Sequence, residues 1–367
     1  MCGITAYYGN EDAAPFIYDS LKRLDYRGYD SAGIATCSNP ELKIKRDVGK
    51  IDEIHEKHDL KDMDGTFGIG HTRWATHGGV SKKNAHPHRC CEGRFAIVHN
   101  GIIENWKELK EELEDHDFTS ETDSEVIAHY IEETAKEADV EEAIRSFLND
   151  AEGSFAVALM DTEERKLFTM KNGSPLALGV GDDGVFVGSD IYAFSPYTDE
   201  TVFMGDNEYA VIEHGGFEVK DHNGQELEKD VKNVDWSQEE SGKGDYDHHM
   251  ISEIKDIPRS LEKLENSLRT DQRNRLKDFA NRLKRSDKVI FTAAGTSYHA
   301  SLLGVYFLQK AGIEAQTLIA SEFKNYERVD EDTLLVAISQ SGETKDVLDA
   351  IEHSKERGAE ISSITNV

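Results

Sequence analysis

The 367-residue sequence contains no run of 18 apolar residues and therefore offers no membrane-spanning helix. Its N-terminus has no basic region followed by an apolar stretch, so no signal peptide is expected. Cysteine is scarce: the four are Cys2, Cys37, Cys90 and Cys91. None forms a Cys-X-X-Cys pair, and adjacent cysteines such as Cys90 and Cys91 rarely bridge each other, so a reduced cytoplasm is the expected location. A zinc site built from Cys90, Cys91, His86 and His88 matches no common ligand spacing. Basic residues are also few, with 42 Lys and Arg against 72 Asp and Glu, a net charge of −30. The acids are dispersed, as in Glu108, Glu111, Glu112, Glu114 and Asp115 and again in Glu132, Glu133 and Glu137, and do not form a tail. Such a surface stays soluble in concentrated salt, where repulsion is screened, and reads as halophilic. It argues against nucleic acid and anionic membranes as partners and is silent about chemistry.

The length suggests two or three domains with ample core. Strands are expected at 4–8, 95–98, 155–160, 167–170, 177–180, 185–187 and 210–212, and helices at 12–25 and 124–136, with Trp106, Leu109 and Leu113 at helical spacing. Together they predict an α+β sandwich built on antiparallel sheets. Residues 235–249 are polar, glycine-bearing and aperiodic, a linker candidate. Helices are expected at 250–268 and 272–283. From residue 289 the rhythm changes to strand, helix, strand, strand, helix, strand, at 289–295, 297–311, 314–320, 333–339, 345–358 and 361–367, the pattern of a doubly wound parallel sheet. The expected domains are thus 1–235, 236–270 (linker and helix) and 271–367. The last is expected to be incomplete, because the chain stops on a strand: either it is truncated or its other half lies on another chain.

The most informative position is Cys2, in Met1-Cys2-Gly3-Ile4. Methionine removal is favoured before a small side chain. The mature chain would then begin with a cysteine carrying both a nucleophilic thiol and an α-amine, of pKa about 7.7–8.0, to serve as its base. Five clusters accompany it: residues 27–33 (RGYDSAG), 71–78 (HTRWATHG), 84–88 (NAHPH), 99–105 (HNGIIEN) and 121–125 (ETDSE). Singly, each has a plain structural explanation. His-Thr-Arg suits a solvated loop, His-Pro-His a turn, Asn-Gly a hairpin, and Thr-Asp-Ser-Glu a helix cap. Their joint occurrence behind a cysteine at position 2 does not.

In combination, the segments MCGI, RGYDSAG, HTRWATHG, NAHPH, VHNGIIEN and ETDSEVIAH resemble the glutaminase domain of class II (N-terminal nucleophile) amidotransferases, and most closely the glutamine–fructose-6-phosphate aminotransferase family. Arg73 offers a planar fork for the glutamine α-carboxylate, and Asp123 a matching anion for its α-ammonium. The resemblance implies that Cys2 attacks the amide carbon, with the Asn100 side chain and the Gly101 N–H forming the oxyanion hole. It also implies that Thr76 and His77 bind glutamine, that residues 73–80 close over it, that Trp74 faces the ammonia route, that His86 shapes the site and that Arg27 lies beside the nucleophile. Where the family has Gly-Glu-Pro, this chain has Gly78-Gly79-Val80, which changes the stiffness of that loop.

Gly295-Thr296-Ser297 and the segment from Ser339 to Thr344 both join a strand to a helix. Each could be a plain helix cap; together they suit a shared phosphate. These segments resemble the SIS (sugar isomerase) domain, which implies that Ser297, Ser339, Gln340, Ser341 and Thr344 hold the sugar phosphate. The segment Ser252-Glu253-Ile254-Lys255-Asp256-Ile257-Pro258 departs from the family's interdomain Lys-Glu-Ile…Glu-Gln-Pro. The resemblance implies an N-terminal-nucleophile sandwich followed by an incomplete SIS domain, and glutamine and fructose 6-phosphate as substrates. No cofactor and no metal are implied, because the nitrogen travels as ammonia. A homodimer is plausible from the family. The family's second SIS domain, with its glutamate, histidine and lysine, is not within these 367 residues. Two rival readings are a stand-alone glutaminase feeding a separate partner and a non-catalytic sugar-phosphate sensor.

Overall fold

Period-two burial organises the N-terminal part of the chain into two antiparallel sheets packed face to face. In the computed structural model, residues 2–38, 41–75, 78–234, 246, 249–270, 272–325, 329–340, 342 and 344–365 are described. The chain divides into two units, Met1–Gln238 and Glu239–Val367.

The strands of the first unit are β1 (Gly3–Gly9), β2 (Ser31–Ser38), β3 (Glu41–Val48), β4 (Phe67–Arg73), β5 (His88–Arg89), β6 (Phe95–Ile103), β7 (Gly153–Asp161), β8 (Lys166–Asn172), β9 (Ala177–Gly181), β10 (Gly184–Gly188), β11 (Glu200–Phe203), β12 (Glu208–Glu213), β13 (Gly216–Asp221) and β14 (Lys232–Asn233). Its helices are α1 (Ala13–Arg23), α2 (Ile51–His58), α3 (Trp106–Glu111), α4 (Glu125–Thr134) and α5 (Val140–Asp150). One sheet has eight strands in the order β14-β11-β9-β10-β1-β4-β2-β3; the other has six, β13-β12-β8-β7-β6-β5.

Alternation decides which layer each side chain joins. On β1, Ile4, Ala6 and Tyr8 point between the sheets, while Tyr7 points to the layer of α1 and α2. On β6 and β7, Ala96, Val98, Ala156, Ala158 and Met160 face between the sheets. Their neighbours Phe95, Ile97, Phe155, Val157 and Leu159 pack against α4 and α5. The unit is therefore a four-layer helix–sheet–sheet–helix sandwich, and the small alanines of β6 and β7 let its two sheets meet closely. The polarity of α1 matches its dipole, with Lys22 and Arg23 in the last turn. On α5 the Asp139 carboxylate accepts from the Glu142 N–H as an N-cap.

The second unit opens with α6 (His249–Arg269) and α7 (Arg273–Arg285). There follow β15 (Lys288–Ala293), α8 (Gly295–Lys310), β16 (Ala315–Ile319), β17 (Thr333–Ser339), α9 (Lys345–Lys355) and β18 (Glu360–Thr365). The four strands are parallel, in the order β16-β15-β17-β18. Both faces are covered: Val289 and Phe291 pack with Leu283 and Val305, and Ile290 and Leu335 with Phe323 and Ala350. Burial on both faces explains the near-continuous apolar runs of these strands. The chain leaves β15 and β17 in opposite directions, so the gap between their carboxyl ends is the topological switch point of the sheet. Among the described residues, no helix is long and apolar enough to cross a membrane.

Candidate functional site

Strand pairing delivers the groups around Cys2. Gly3 on β1 lies opposite Thr72 on β4, so Cys2 falls beside Arg73 and Trp74 where β4 ends. The Trp74 N–H donates to the Cys2 Sγ at 3.2 Å. Burial pushes the thiol's pKa up, and the Trp74 N–H and the Arg73 cation only partly offset this. An unaided Cys2 is thus held as a thiol and needs a base.

The facing sheet contributes β6. The Asn100 Nδ2 donates to the Cys2 carbonyl oxygen at 2.9 Å. The Asn100 Oδ1 accepts from the His71 Nε2 at 3.0 Å, and that nitrogen also donates to the His99 carbonyl at 3.0 Å. Both partners of the His71 Nε2 are acceptors, so the ring carries its proton there. Burial lowers the His71 pKa to about 3 and keeps it neutral. His71 therefore decides which end of the Asn100 amide faces Cys2. One Nδ2 hydrogen is committed to the Cys2 carbonyl, and the other remains for a ligand. Gly101 has φ +119°, and an added Cβ would lie 2.0 Å from the Ser154 carbonyl oxygen. Only glycine fits there. The Asn-Gly pair is not a hairpin turn: it lies within β6, with Gly101 opposite Phe155.

Cys2, Arg73, Trp74, His86, Gly101 and Asp123 line one cleft, whose remaining wall is His99, Thr122 and Ser124. Asp123 is buried, and its Oδ2 accepts from the Ile103 N–H at 2.9 Å. The Arg73 guanidinium is also buried and donates weakly to the carbonyls of Gly78 and Gly79, each at 3.4 Å. Burial lowers its pKa, opposed by Cys2, Asp123 and Asp30. A planar cation and a carboxylate thus share a small cleft with a thiol, and an oriented amide bonds the backbone of that cysteine. The His86 ring sits 4.1 Å from that of His71 and 4.5 Å from that of His88, and burial drives its pKa well below the usual histidine value. Trp74 is half-exposed and meets Tyr29 edge-on at 5.2 Å. Arg27 does not line the cleft. It pairs with Asp190 at 2.6 Å and donates to the Ser189 carbonyl, and Ser189 in turn bonds Ile4 on β1. Thr76 and His77 lie outside the described residues.

Several groups hold this arrangement from behind. The Asp30 Oδ2 accepts from the Ala75 N–H at 2.9 Å. The Asn84 Nδ2 donates to the Gly79 carbonyl at 2.9 Å, while its Oδ1 accepts from the Glu121 N–H at 2.9 Å. Gly28 presses on the backbone of residue 73, where a Cβ would come within 2.6 Å of the carbonyl carbon. The helix-cap expectation for 122–125 is corrected. The Ser124 Oγ meets the His99 Nδ1 at 2.8 Å and makes no cap, while the Glu125 carboxylate accepts from the N–H groups of Thr119 (3.0 Å) and Ser120 (2.6 Å). His71, Asp30, Asn84 and Glu125 had no assigned role in the sequence. All four stand inside recognised motifs, but only the fold shows which atoms they reach.

In the second unit, Ser297 lies in the first turn of α8 and Ser339 ends β17, at the carboxyl ends of adjacent strands. The Ser339 Oγ accepts from the Gly342 N–H at 3.1 Å and lies 3.0 Å from the Thr344 Oγ1. Gln340 is exposed, and Ser341 lies outside the described residues. Neither α8 nor α9 has a side-chain N-cap.

Residues 71–196 match the family profile of a glutamine amidotransferase domain, and residues 282–367 that of an SIS domain. Over its whole length the chain is 44% identical to the glutamine–fructose-6-phosphate aminotransferase (isomerizing) of Thermococcus kodakarensis, covering 62% of that protein. It is 43% identical to the protein of the same name from Pyrococcus horikoshii, again over 100% of this chain and 62% of the relative. The chain is similar over its whole length to members of the glutamine–fructose-6-phosphate aminotransferase family. It spans less than two thirds of the length of these curated relatives. Its fold is also that of the glutamine phosphoribosylpyrophosphate amidotransferase of B. subtilis, at TM-score 0.56 and 18% identity over 100% of this chain and 81% of that one. In this chain the motif residues on β4 and β6 surround a single cysteine at the start of β1.

The buried histidines make an acid-labile site. His71 and His88 each have a folded pKa of about 3 against an ordinary 6.5. A depressed folded value gives stability that is complete above 6.5 and is lost as pH falls toward 3. Each adds a slope approaching ~1.4 kcal/mol per pH unit below 6.5. Chemical denaturation from pH 7 to 4 is expected to show this loss, and His88→Asn to reduce the slope by about one histidine's share. An unchanged slope in His88→Asn would contradict the assignment.

Proposed function

We propose that this chain hydrolyses glutamine at Cys2 and that the ammonia serves, in the complete protein, to convert fructose 6-phosphate to glucosamine 6-phosphate. The observation that carries the reading is one cleft lined by Cys2, Arg73 and Asp123, with the Asn100 amide, oriented by His71, bonded to the Cys2 carbonyl beside it.

Arg73 takes the glutamine α-carboxylate and Asp123 its α-ammonium, which directs the side-chain amide toward Cys2. With Met1 removed, the neutral α-amine of Cys2 takes the thiol proton, and Sγ attacks the amide carbon. The oxyanion receives the second Nδ2 hydrogen of Asn100 and the Gly101 N–H. Collapse breaks the C–N bond, and the α-ammonium returns its proton to the departing nitrogen. Ammonia and a γ-glutamyl thioester result. Water, deprotonated by the same amine, attacks the thioester and restores the thiol with release of glutamate. Thr76 and His77 complete the glutamine contacts, Trp74 borders the ammonia exit, His86 fills the floor, and Arg27 steadies the strand bearing Cys2 through Ser189.

Ser297, Ser339, Gln340, Ser341 and Thr344 gather the sugar phosphate at the switch point between β15 and β17. The uncapped first turns of α8 and α9 support this, because backbone N–H groups at a helix start favour an anion. They also favour the coupled enzyme over a stand-alone glutaminase. A cytoplasmic homodimer is the expected setting, and the acidic surface suits concentrated salt.

Glutamate release separates these readings. Cys2→Ala is expected to abolish it and Asn100→Ala to lower kcat about 10²–10³-fold, the range for losing one oxyanion donor. His71→Ala should lower kcat with little change in KM, since it acts through Asn100. Because the base must be neutral, kcat/KM should rise through pH 7.7–8.0, roughly the range of an α-amine, and then level off. Wild-type rates matched by Cys2→Ala would overturn the proposal. Thermal unfolding in about 0.1 M and about 1 M KCl tests the salt reading: the midpoint is expected to rise, and a fall would contradict it.

A further inference from the structure

Four metal-binding side chains converge away from the cleft, at the edge of the six-stranded sheet. Cys91 lies between β5 and β6, His116 follows α3, and His129 and Glu132 stand one turn apart on α4. Their donor atoms all lie within 4.8 Å of one another, and this is the one such group among the described residues. The Cys91 Sγ is 3.6 Å from the His129 Nδ1, which is 3.1 Å from the His116 Nδ1. The Glu132 Oε2 is 3.3 Å from the His116 Nδ1 and 3.9 Å from the His129 Nδ1. A tetrahedral zinc with bonds of about 2.0–2.3 Å separates its ligand atoms by roughly 3.3–3.6 Å, so the cluster is nearly of the right size before any adjustment.

The surrounding contacts point the same way. The His116 Nε2 lies 2.9 Å from the Glu133 Oε2, so it carries the proton and leaves the Nδ1 lone pair facing the cluster. The His129 Nε2 is buried, with the Glu125 Oε1 at 3.8 Å. Both histidines turn Nδ1 inward and Nε2 toward a carboxylate, the outer arrangement that orients metal-bound imidazoles. Without an ion and with both rings neutral, the 3.1 Å contact needs the His129 proton on Nδ1, which leaves a bare, buried Nε2 facing the Glu125 carboxylate. An ion on both Nδ1 atoms removes that conflict. Glu132 is anchored by the N–H groups of Cys91 and Glu92, at 3.0 and 2.8 Å. Cys91 is exposed and gives access from solvent.

We propose that Cys91, His116, His129 and Glu132 form a structural Zn2+ site. One thiolate, two imidazoles and one carboxylate suit zinc, and four protein ligands leave no open position. The ion ties the β5–β6 turn to α4, the helix that begins two residues after Asp123. It takes no part in glutamine chemistry. The sequence concealed it because its ligands come from three separated segments. Cys90 accepts the Phe95 N–H, and His86 packs between His71 and His88.

The test uses the full chain, stripped with a chelator and titrated with Co2+ in high salt. One equivalent is expected, with the visible absorption of tetrahedral Co2+ and a thiolate charge-transfer band, both displaced by one equivalent of Zn2+. Cys91→Ser and His116→Ala should lose both signals while keeping wild-type circular dichroism. Glu133→Gln should weaken binding about 10- to 100-fold. Zinc should raise the unfolding midpoint of the wild type and leave that of Cys91→Ser unchanged. A six-coordinate spectrum, or a charge-transfer band persisting in Cys91→Ser, would overturn the site and leave a hydrogen-bonded cluster.

Discussion

The packing of β1 and β4 against β6 and β7 is the constraint on which the rest of the first unit depends. Ile4, Ala6 and Ile69 from one sheet meet Ala96, Val98, Ala156 and Ala158 from the other, all fully or almost fully buried. The small residues on β6 and β7 set the closeness of the two sheets. That closeness lets the Asn100 Nδ2 cross between them to the Cys2 carbonyl at 2.9 Å, and lets the His71 Nε2 cross in the other direction to Asn100. A larger residue at Ala96 or Ala156 would separate these contacts before it touched any of the polar groups.

Electrostatics in this unit divide by depth. The outer surface carries dispersed acids that water and salt can screen. The interior holds His71, His86 and His88 together, all kept neutral by burial. Keeping them uncharged has a consequence for the cleft: among the described residues, the side-chain cation facing Cys2 is Arg73, joined by whatever charge the chain's own α-amine carries. The thiol's proton therefore has few destinations, and burial makes it harder to lose. The site fits a nucleophile that brings its base with it.

Much of this was legible in the residues. The apolar runs at 95–98, 155–160 and 333–339 became β6, β7 and β17, and the alternation after residue 289 became a parallel sheet with its serine turns at the switch point. The glycine-dense cluster at 27–33 and the His-Thr-Arg segment were legible as chemistry yet not as structure: Ser31–Gly33 start β2 and His71–Arg73 end β4, all buried. Their polar side chains broke the alternation that marks a strand, because Ser31, His71, Thr72 and Arg73 are buried and not turned to solvent. β3, with charged residues at Glu41, Lys43, Lys45, Arg46 and Asp47, was hidden for the opposite reason, as an edge strand of half-exposed side chains. Pairings that cross the chain, such as His71 with Asn100 or Cys91 with His129, have no local signature.

The account rests on Cys2 being the chain's first residue and its reactive thiol. The most direct measurement treats the full chain with a chloroketone analogue of glutamine and locates the adduct by mass spectrometry. Sγ would displace chloride to leave a thioether. The expected result is a single adduct on an N-terminal peptide that begins with Cys2, suppressed by glutamine and present in Cys91→Ser. Labelling that falls on Cys37, Cys90 or Cys91, or that glutamine does not protect against, would contradict it.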